Sequence, residues 1–226
     1  MEWYLYRSGP GAPTFNMAMD EALLEFMPQI DTPVLRFYGW AEPAATFGYF
    51  QKYSEVERAT RLRPLIRRPT GGGLVPHAAD WTYSLVFPAS HPWYRLRAAE
   101  SYRSVHAWVQ AAFSLIGVPT ELAPNTCIVT QGQCFAGWEE SDLLWHGRKI
   151  AGAAQRRTRT GLLIQGSIQP AAEWPHRSAW EDAMIRTGAE RLGIHWAVFE
   201  PEPILLERAR ELAARKYALE SYNRKR

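Results

Sequence analysis

Two residues of this chain carry reactive groups in surroundings that do not suit simple burial. Cys134 lies in the polar loop Gln131-Gly132-Gln133-Cys134-Phe135-Ala136-Gly137, and fifteen positions later Lys149 opens the small-residue run Ile150-Ala151-Gly152-Ala153-Ala154-Gln155. A thiol reacts as its thiolate, and a nearby ammonium lowers its pKa. A cysteine and a lysine joined by a folded-back loop would therefore supply a nucleophile and its charge partner. Lysine is also used sparingly here. Of 26 basic residues only Lys52, Lys149, Lys216 and Lys225 are lysines. A desolvated lysine, unlike an arginine, can change its proton state and act as a compact point charge on sulfur. Each residue has a plainer reading too: a free cysteine as a small hydrophobe, and a lysine that snorkels from an edge strand. Cys127, between Thr126 and Ile128, fits the buried type better.

The elements that must position this pair are legible nearby. Leu143–Trp145 and Arg148–Ala154 read as two strands joined by a tight turn at His146-Gly147. Strict alternation then puts Lys149, Ala151 and Ala153 on one face, with Gly152 between them. A long cation flanked by alanines leaves open space above the strand, which suits the floor of a substrate site. A second stretch, the strand Leu65–Arg68, runs into Pro69-Thr70-Gly71-Gly72-Gly73, with His77 close behind. Three consecutive glycines cost conformational entropy, so they imply close approach to a ligand or a turn with positive φ. A flexible surface loop is the alternative. No Gly-Lys-Ser/Thr follows and the G-x-G-x-x-G spacing is missing, which excludes the common nucleotide loops.

The remaining pattern alternates strands and helices. A strand at Trp3–Tyr6 passes through a Gly9-Pro10-Gly11 turn into a helix capped by Asn16 and stopped by Pro28. Strands follow at Pro33–Tyr38 and Ala44–Gly48, then a short helix from a Ser54–Glu57 capping box to about Arg61. Trp81–Phe87 alternates as a half-buried strand, and Ala98–Ile116 carries Tyr102, Val105, Val109, Ala112 and Ile116 on one helical stripe. Short strands are expected at Thr120–Leu122 and Gly161–Ile168. A second capping box at Ser178–Glu181 opens a helix to Gly193, and Ile204–Tyr217 forms the last one. Together these indicate an α/β (α+β) fold, a mixed sheet with helices packed on it.

Composition narrows the function classes. A chain of 226 residues, 46% hydrophobic with 10 Trp, fits one large domain with a sizeable core. It has no apolar run near the ~18 residues that span a bilayer, and its first residues lack a signal-peptide pattern. Two cysteines without a C-x-x-C, and six scattered His, suggest neither a disulfide framework nor a metal site. A reducing cytoplasm is the default. A net charge of +3 and a pI near 8.9 are too mild to demand nucleic acid. Arg156, Arg157 and Arg159 form a basic cluster that reads as a solvated face or as a dock for an acidic protein.

Several stretches taken together resemble the biotin/lipoate protein ligase catalytic-domain family. They are Asn16–Leu24, Leu35–Trp40, Arg67-Arg68-Pro69-Thr70-Gly71-Gly72-Gly73-Leu74-Val75-Pro76-His77, Gly147–Gln155, and the closing Ala214-Arg215-Lys216-Tyr217 with Asn223. The resemblance implies a single domain over 1–226, like the class II aminoacyl-tRNA synthetases and biotin synthetases, with no accessory C-terminal domain. Two chemistries occur in the family. Lipoate-protein ligases use ATP and Mg to make an acyl-adenylate, whereas octanoyltransferases pass an acyl chain through a cysteine thioester and need no cofactor. Cys134-Phe135 stands where the ligase-like octanoyltransferases have their Cys-Phe pair. Segments after that pair vary in the family, and Ala136–Glu140 is left unassigned by the resemblance. The resemblance implies octanoyl-acyl carrier protein as donor, and lipoyl domains or a glycine cleavage H-type protein as acceptors, with no nucleic acid and no membrane. By the same likeness Cys134 and Lys149 would be catalytic, Lys149 also taking the proton of the attacking amine. Arg68, Gly71, Gly72, Gly73, His77, Ala151, Gly152 and Ala153 would bind substrate, and either Lys149 or the backbone N–H groups of the glycines would face the oxyanion. His77 could equally be a structural hydrogen-bonding residue.

Overall fold

The computed structural model describes residues 1–127 and 137–226. In order, the elements begin with β1 (Glu2–Gly11), α1 (Pro13–Ile30), β2 (Val34–Trp40), β3 (Ala44–Phe47), α2 (Tyr53–Ala59) and β4 (Leu65–Arg67). There follow β5 (Val75–His77), β6 (Trp81–Pro88), α3 (Pro92–Arg95), α4 (Ala98–Leu115), β7 (Glu121–Leu122) and β8 (Leu143–Trp145). The chain continues through β9 (Arg148–Arg157), β10 (Gly161–Ile168), α5 (Arg177–Leu192), β11 (His195–Val198), α6 (Pro203–Leu212) and α7 (Glu220–Asn223), with a π-helical turn at Ala213–Tyr217.

Eight strands form one mixed sheet in the order β11-β1-β2-β6-β10-β9-β8-β7, and β4-β3-β5 form a smaller second sheet. β1 is parallel to both neighbours, while β6, β10, β9 and β8 run as antiparallel partners. β6 and β10 are buried throughout, as central strands covered on both faces should be. Their residues divide by parity. Tyr83, Leu85, Phe87, Leu162, Ile164 and Ile168 enter a core with α4 and α5, and Val86 and Leu163 enter a core with α1 and α6. The mixed sheet with packed helices is thus the one that the alternating pattern implies.

The helix α4 starts at Ala98 as expected, whereas other helix starts differ. α1 begins at Pro13, whose fixed φ suits a first helical position, and Asn16 lies inside it. The Asn16 amide instead donates to the Gly39 carbonyl at 2.8 Å and the Gly11 carbonyl at 3.2 Å, tying helix to sheet. Pro28 falls in the last turn, and the helix runs on to Ile30 before Asp31 closes it in a left-handed conformation. Neither expected capping box forms. α2 follows Lys52, and α5 starts at Arg177, whose Nε donates to Glu181 at 2.7 Å. β5, α3 and β11 were not legible as separate elements. β5 matters most, because it carries His77 alongside β3.

Candidate active site

The β8–β9 hairpin turns through His146 and Gly147, both at positive φ (48° and 69°), as a two-residue turn of the I′ kind requires. Strict alternation fails just beyond it. Leu144 pairs with Lys149 but Leu143 pairs with Ala151, so β9 holds one extra residue, a β-bulge. Ile150 and Ala151 consequently both turn into the α4–α5 core, Ala151 with no exposed surface. This corrects the expectation that Lys149, Ala151 and Ala153 share a face. Ala153 packs against the same core as Ala151 but, with Gly152 and Ala154, also lines the slot.

Lys149 folds back over Gly152. A Cβ on Gly152 would lie 2.7 Å from Lys149 Cε, 2.8 Å from its Nζ and 3.1 Å from Asp142 Oδ1. The lysine ammonium sits 2.6 Å from Asp142 Oδ2, with side-chain exposures of 4% and 0%. The same Oδ2 accepts the backbone N–H of Glu139 at 2.7 Å, and Oδ1 accepts the Tyr102 hydroxyl from α4. Tyr102 Oη in turn accepts the Ala153 N–H at 3.3 Å. Nearby His106 is fully buried, and burial, reinforced by the Lys149 charge, lowers its pKa to about 3. It is a neutral imidazole at any working pH. Cys134 and Phe135 lie outside the described residues. On either side of that segment, Cys127 and Trp138 exchange backbone hydrogen bonds of 2.7 and 2.8 Å, and Glu139 follows directly.

From Gly152 a narrow slot of about 40 Å³ crosses the sheet toward Tyr38. Its floor is one row of cross-strand partners: Gly152 on β9, Ser167 on β10, Thr82 on β6 and Tyr38 on β2. Three inter-strand steps of about 4.8 Å make this row roughly 14 Å long. Met17, Arg68, Gly72 and Val75 line it from above. Behind Met17, Asp20 is fully buried and accepts from Arg36 at 2.7 Å, Ser84 at 2.7 Å, Gln165 at 2.7 Å and Tyr38 at 3.1 Å. Burial, with Asp20 adding to it, holds the Tyr38 phenol protonated by pushing its pKa up.

The glycine loop wraps Arg68. The guanidinium donates to the carbonyls of Gly71 (2.6 Å) and Gly73 (2.7 Å), and Gly72 takes positive φ. Gly72 also presses on Gly48, where a Cβ would meet the Gly72 oxygen at 1.8 Å. The loop therefore has the packed geometry that explains its glycines, and it directs two carbonyls at Arg68. His77 closes the far end of the slot with both ring nitrogens engaged, by Asp80 Oδ2 and Thr46 Oγ1 at 2.8 Å each. Its ring stacks on Trp40 at 3.8 Å, and beyond that pair opens a cleft of about 550 Å³. Arg156 and Arg157, half-buried, turn to Glu21 and Ser101.

Asp142, Tyr102, Met17 and Gln165 were not legible as site residues. Tyr102 reads as one more member of the α4 stripe. Asp142 had one signal, an acid immediately before a short hairpin whose far strand has a lysine as its second residue. Among the described residues no group of three or more metal-ligating side chains occurs, and no helix is long and apolar enough to cross a membrane.

The Lipoyl protein ligase A/B catalytic domain model matches residues 12–172. The chain belongs to that family. Octanoyltransferase LipM of Staphylococcus aureus is 37% identical over 180 residues, covering 74% of this chain and 65% of the relative. Octanoyltransferase LipM of Geobacillus kaustophilus is 36% identical over 182 residues, covering 74% and 64%. The chain thus matches slightly under two thirds of the length of these relatives. The fold is that of a lipoate-protein ligase A solved with ATP, at TM-score 0.82 and 22% identity over 99% of both chains. It is also that of a chain from the structural analysis of an archaeal lipoylation system, a bipartite lipoate protein ligase and its E2 lipoyl domain from Thermoplasma acidophilum (TM-score 0.77, 21% identity, 99% and 96% coverage).

Proposed function

We propose that this chain transfers an octanoyl group from acyl carrier protein to a lysine of a lipoyl-accepting domain, through a thioester on Cys134. The observation that carries the reading is the buried Lys149 ammonium, held 2.6 Å from Asp142 at the end of a thin slot in a chain whose curated relatives are octanoyltransferases. A fixed cation beside a thiol favours the thiolate. In the first step Cys134 sulfur bonds to the octanoyl carbonyl carbon, the carbon–sulfur bond to the carrier breaks, and the carrier thiol takes the proton that Cys134 gave up. In the second, the acceptor amine bonds to the same carbon, the Cys134–carbon bond breaks, and the amine proton returns the cysteine to its thiol form. Lys149 would stabilise the oxyanion in both steps.

The acyl chain would lie along the Gly152–Ser167–Thr82 row, under Met17 and Val75. Burying its methylenes at roughly 0.8 kcal/mol each supplies up to about 5 kcal/mol for recognition. Arg68 and the glycine loop form the roof and His77 the end wall. Lipoyl domains or an H-type protein would be the acceptors.

The test is direct. The protein is incubated with octanoyl-acyl carrier protein in the absence of ATP and examined by intact mass. An octanoyl adduct that disappears in Cys134→Ala is expected. An adduct that survives that substitution overturns the thioester, and acylation that requires ATP and survives Cys134→Ser identifies an adenylate-forming ligase instead.

A further inference from the structure

We infer that Asp142 is the positioning residue that keeps Lys149 a permanent ammonium aimed at the slot, with Tyr102 fixing the carboxylate from its other side. The inference rests on the acyl-transfer reading and assigns a role within it. Asp142 is not simply a nearby counter-charge. Both of its oxygens are committed: Oδ2 to Lys149 at 2.6 Å and the Glu139 N–H at 2.7 Å, and Oδ1 to the Tyr102 hydroxyl. Its backbone is pinned as well, since its carbonyl accepts the Ala123 N–H at 2.8 Å and its N–H binds the Glu139 carbonyl at 3.0 Å. A carboxylate so held cannot follow the lysine. The lysine must come to it.

The consequence is chemical. A buried ammonium without a partner gives up its proton readily, because desolvation penalises the charged form. One held against a buried carboxylate does not. Among the described residues, the other titratable groups facing the pair are Tyr102 and His106 on α4 and Tyr83 on β6. Burial and the Asp142 charge raise the Tyr83 pKa, and His106 is neutral. Neither of these two groups takes the ammonium's proton. Lys149 enters and leaves the reaction protonated. The amine proton of the second step goes to the departing Cys134 sulfur rather than to Lys149, contrary to the role that the family resemblance suggests. Gly152 completes the device by leaving room for the folded lysine.

Asp142→Asn and Asp142→Glu test it by two independent readouts. With only four lysines in the chain, NMR of lysine labelled with ¹³C at Cε resolves the titration of Lys149, assigned by Lys149→Arg. In the wild type Lys149 should not titrate below the ordinary lysine value of about 10.4. In Asp142→Asn its midpoint should fall by at least about one unit. An unchanged midpoint, or a wild-type lysine already titrating near neutrality, overturns the inference. In the acylation assay Asp142→Asn should lower the first-order rate of adduct formation about 100-fold with little change in KM. It should also create an alkaline limb in the rate, and Asp142→Glu should remove that limb. A KM effect alone, or loss without a new limb, also overturns it. If the wild type forms no adduct at all, the transfer reading has failed, and the NMR result stands separately.

Discussion

Substituting Gly152 by Ala should separate activity from stability at this site. The added Cβ would stand 2.7 Å from Lys149 Cε and 2.8 Å from Nζ, where ordinary contact is about 3.5 Å or more. Something has to move by roughly 0.7–1 Å, and the nearest atoms are the far end of a flexible side chain. The lysine tip yields, not the strand. Gly152 is not among the positive-φ glycines, so alanine suits its backbone, and reduced freedom of the unfolded chain returns about 0.4–1 kcal/mol. Set against the stretched Lys149–Asp142 pair, this leaves a net loss of thermal stability well below the roughly 3–5 kcal/mol that losing one partner of a buried ion pair costs. The ammonium, however, loses its place by about 1 Å, and a displacement of that size costs on the order of 100-fold in rate. Single-turnover acylation followed by intact mass, beside a thermal melt of the same preparation, measures both. A rate within about twofold of wild type would show that the position of the ammonium does not control the chemistry. A melt lowered in step with the rate would show that the strand, not the lysine, had given way.

Other substitutions probe the surrounding structure. Gly48→Ala places a Cβ 1.8 Å from the Gly72 carbonyl oxygen; backbone must shift, and a loss of about 2–3 kcal/mol in urea unfolding is expected, against none if the glycine loop is loose. His106 is neutral when folded, with its pKa near 3, but binds a proton below about 6.5 once unfolded. Its stabilisation is whole above about pH 6.5 and falls as the pH drops toward 3, by about 2–3 kcal/mol between pH 6.5 and 4.5. His106→Leu should roughly halve that part of the slope in the urea-stability profile, the rest being due to His91, whose pKa burial lowers to about 4; an unaltered profile would refute the assignment. Trp40→Ala removes the ring stacked on His77 and opens the slot toward the 550 Å³ cleft. With two further methylenes then buried at roughly 0.8 kcal/mol each, the decanoyl-to-octanoyl rate ratio should rise about tenfold; an unchanged ratio places the end wall elsewhere.

What the sequence disclosed and what it hid follow from the range of the interactions involved. The long helix α4 was legible because burial repeats at the period of the element itself, and β10 because a short apolar run, Leu162–Ile164, follows a Gly. The two capping boxes failed because Ser54 and Ser178 match a local pattern, while the start of each helix is set by where the preceding chain arrives. β5, three residues long, has too few positions to show a period at all. The site was half legible for the same reason. Lys149 stood out by its rarity, and the triple glycine by its conformational cost. Asp142 and Tyr102 are site residues only by virtue of contacts made across a hairpin and from a helix. The bulge at Ile150 decides the arrangement. One inserted residue re-aims everything downstream of Lys149, so that Ala151 enters the core and Gly152 meets the ammonium. A strand of strict period two could not bring Lys149 over Gly152, because odd and even positions would face apart. The irregularity that defeats the parity argument is therefore the feature that lets one strand serve both the core and the slot.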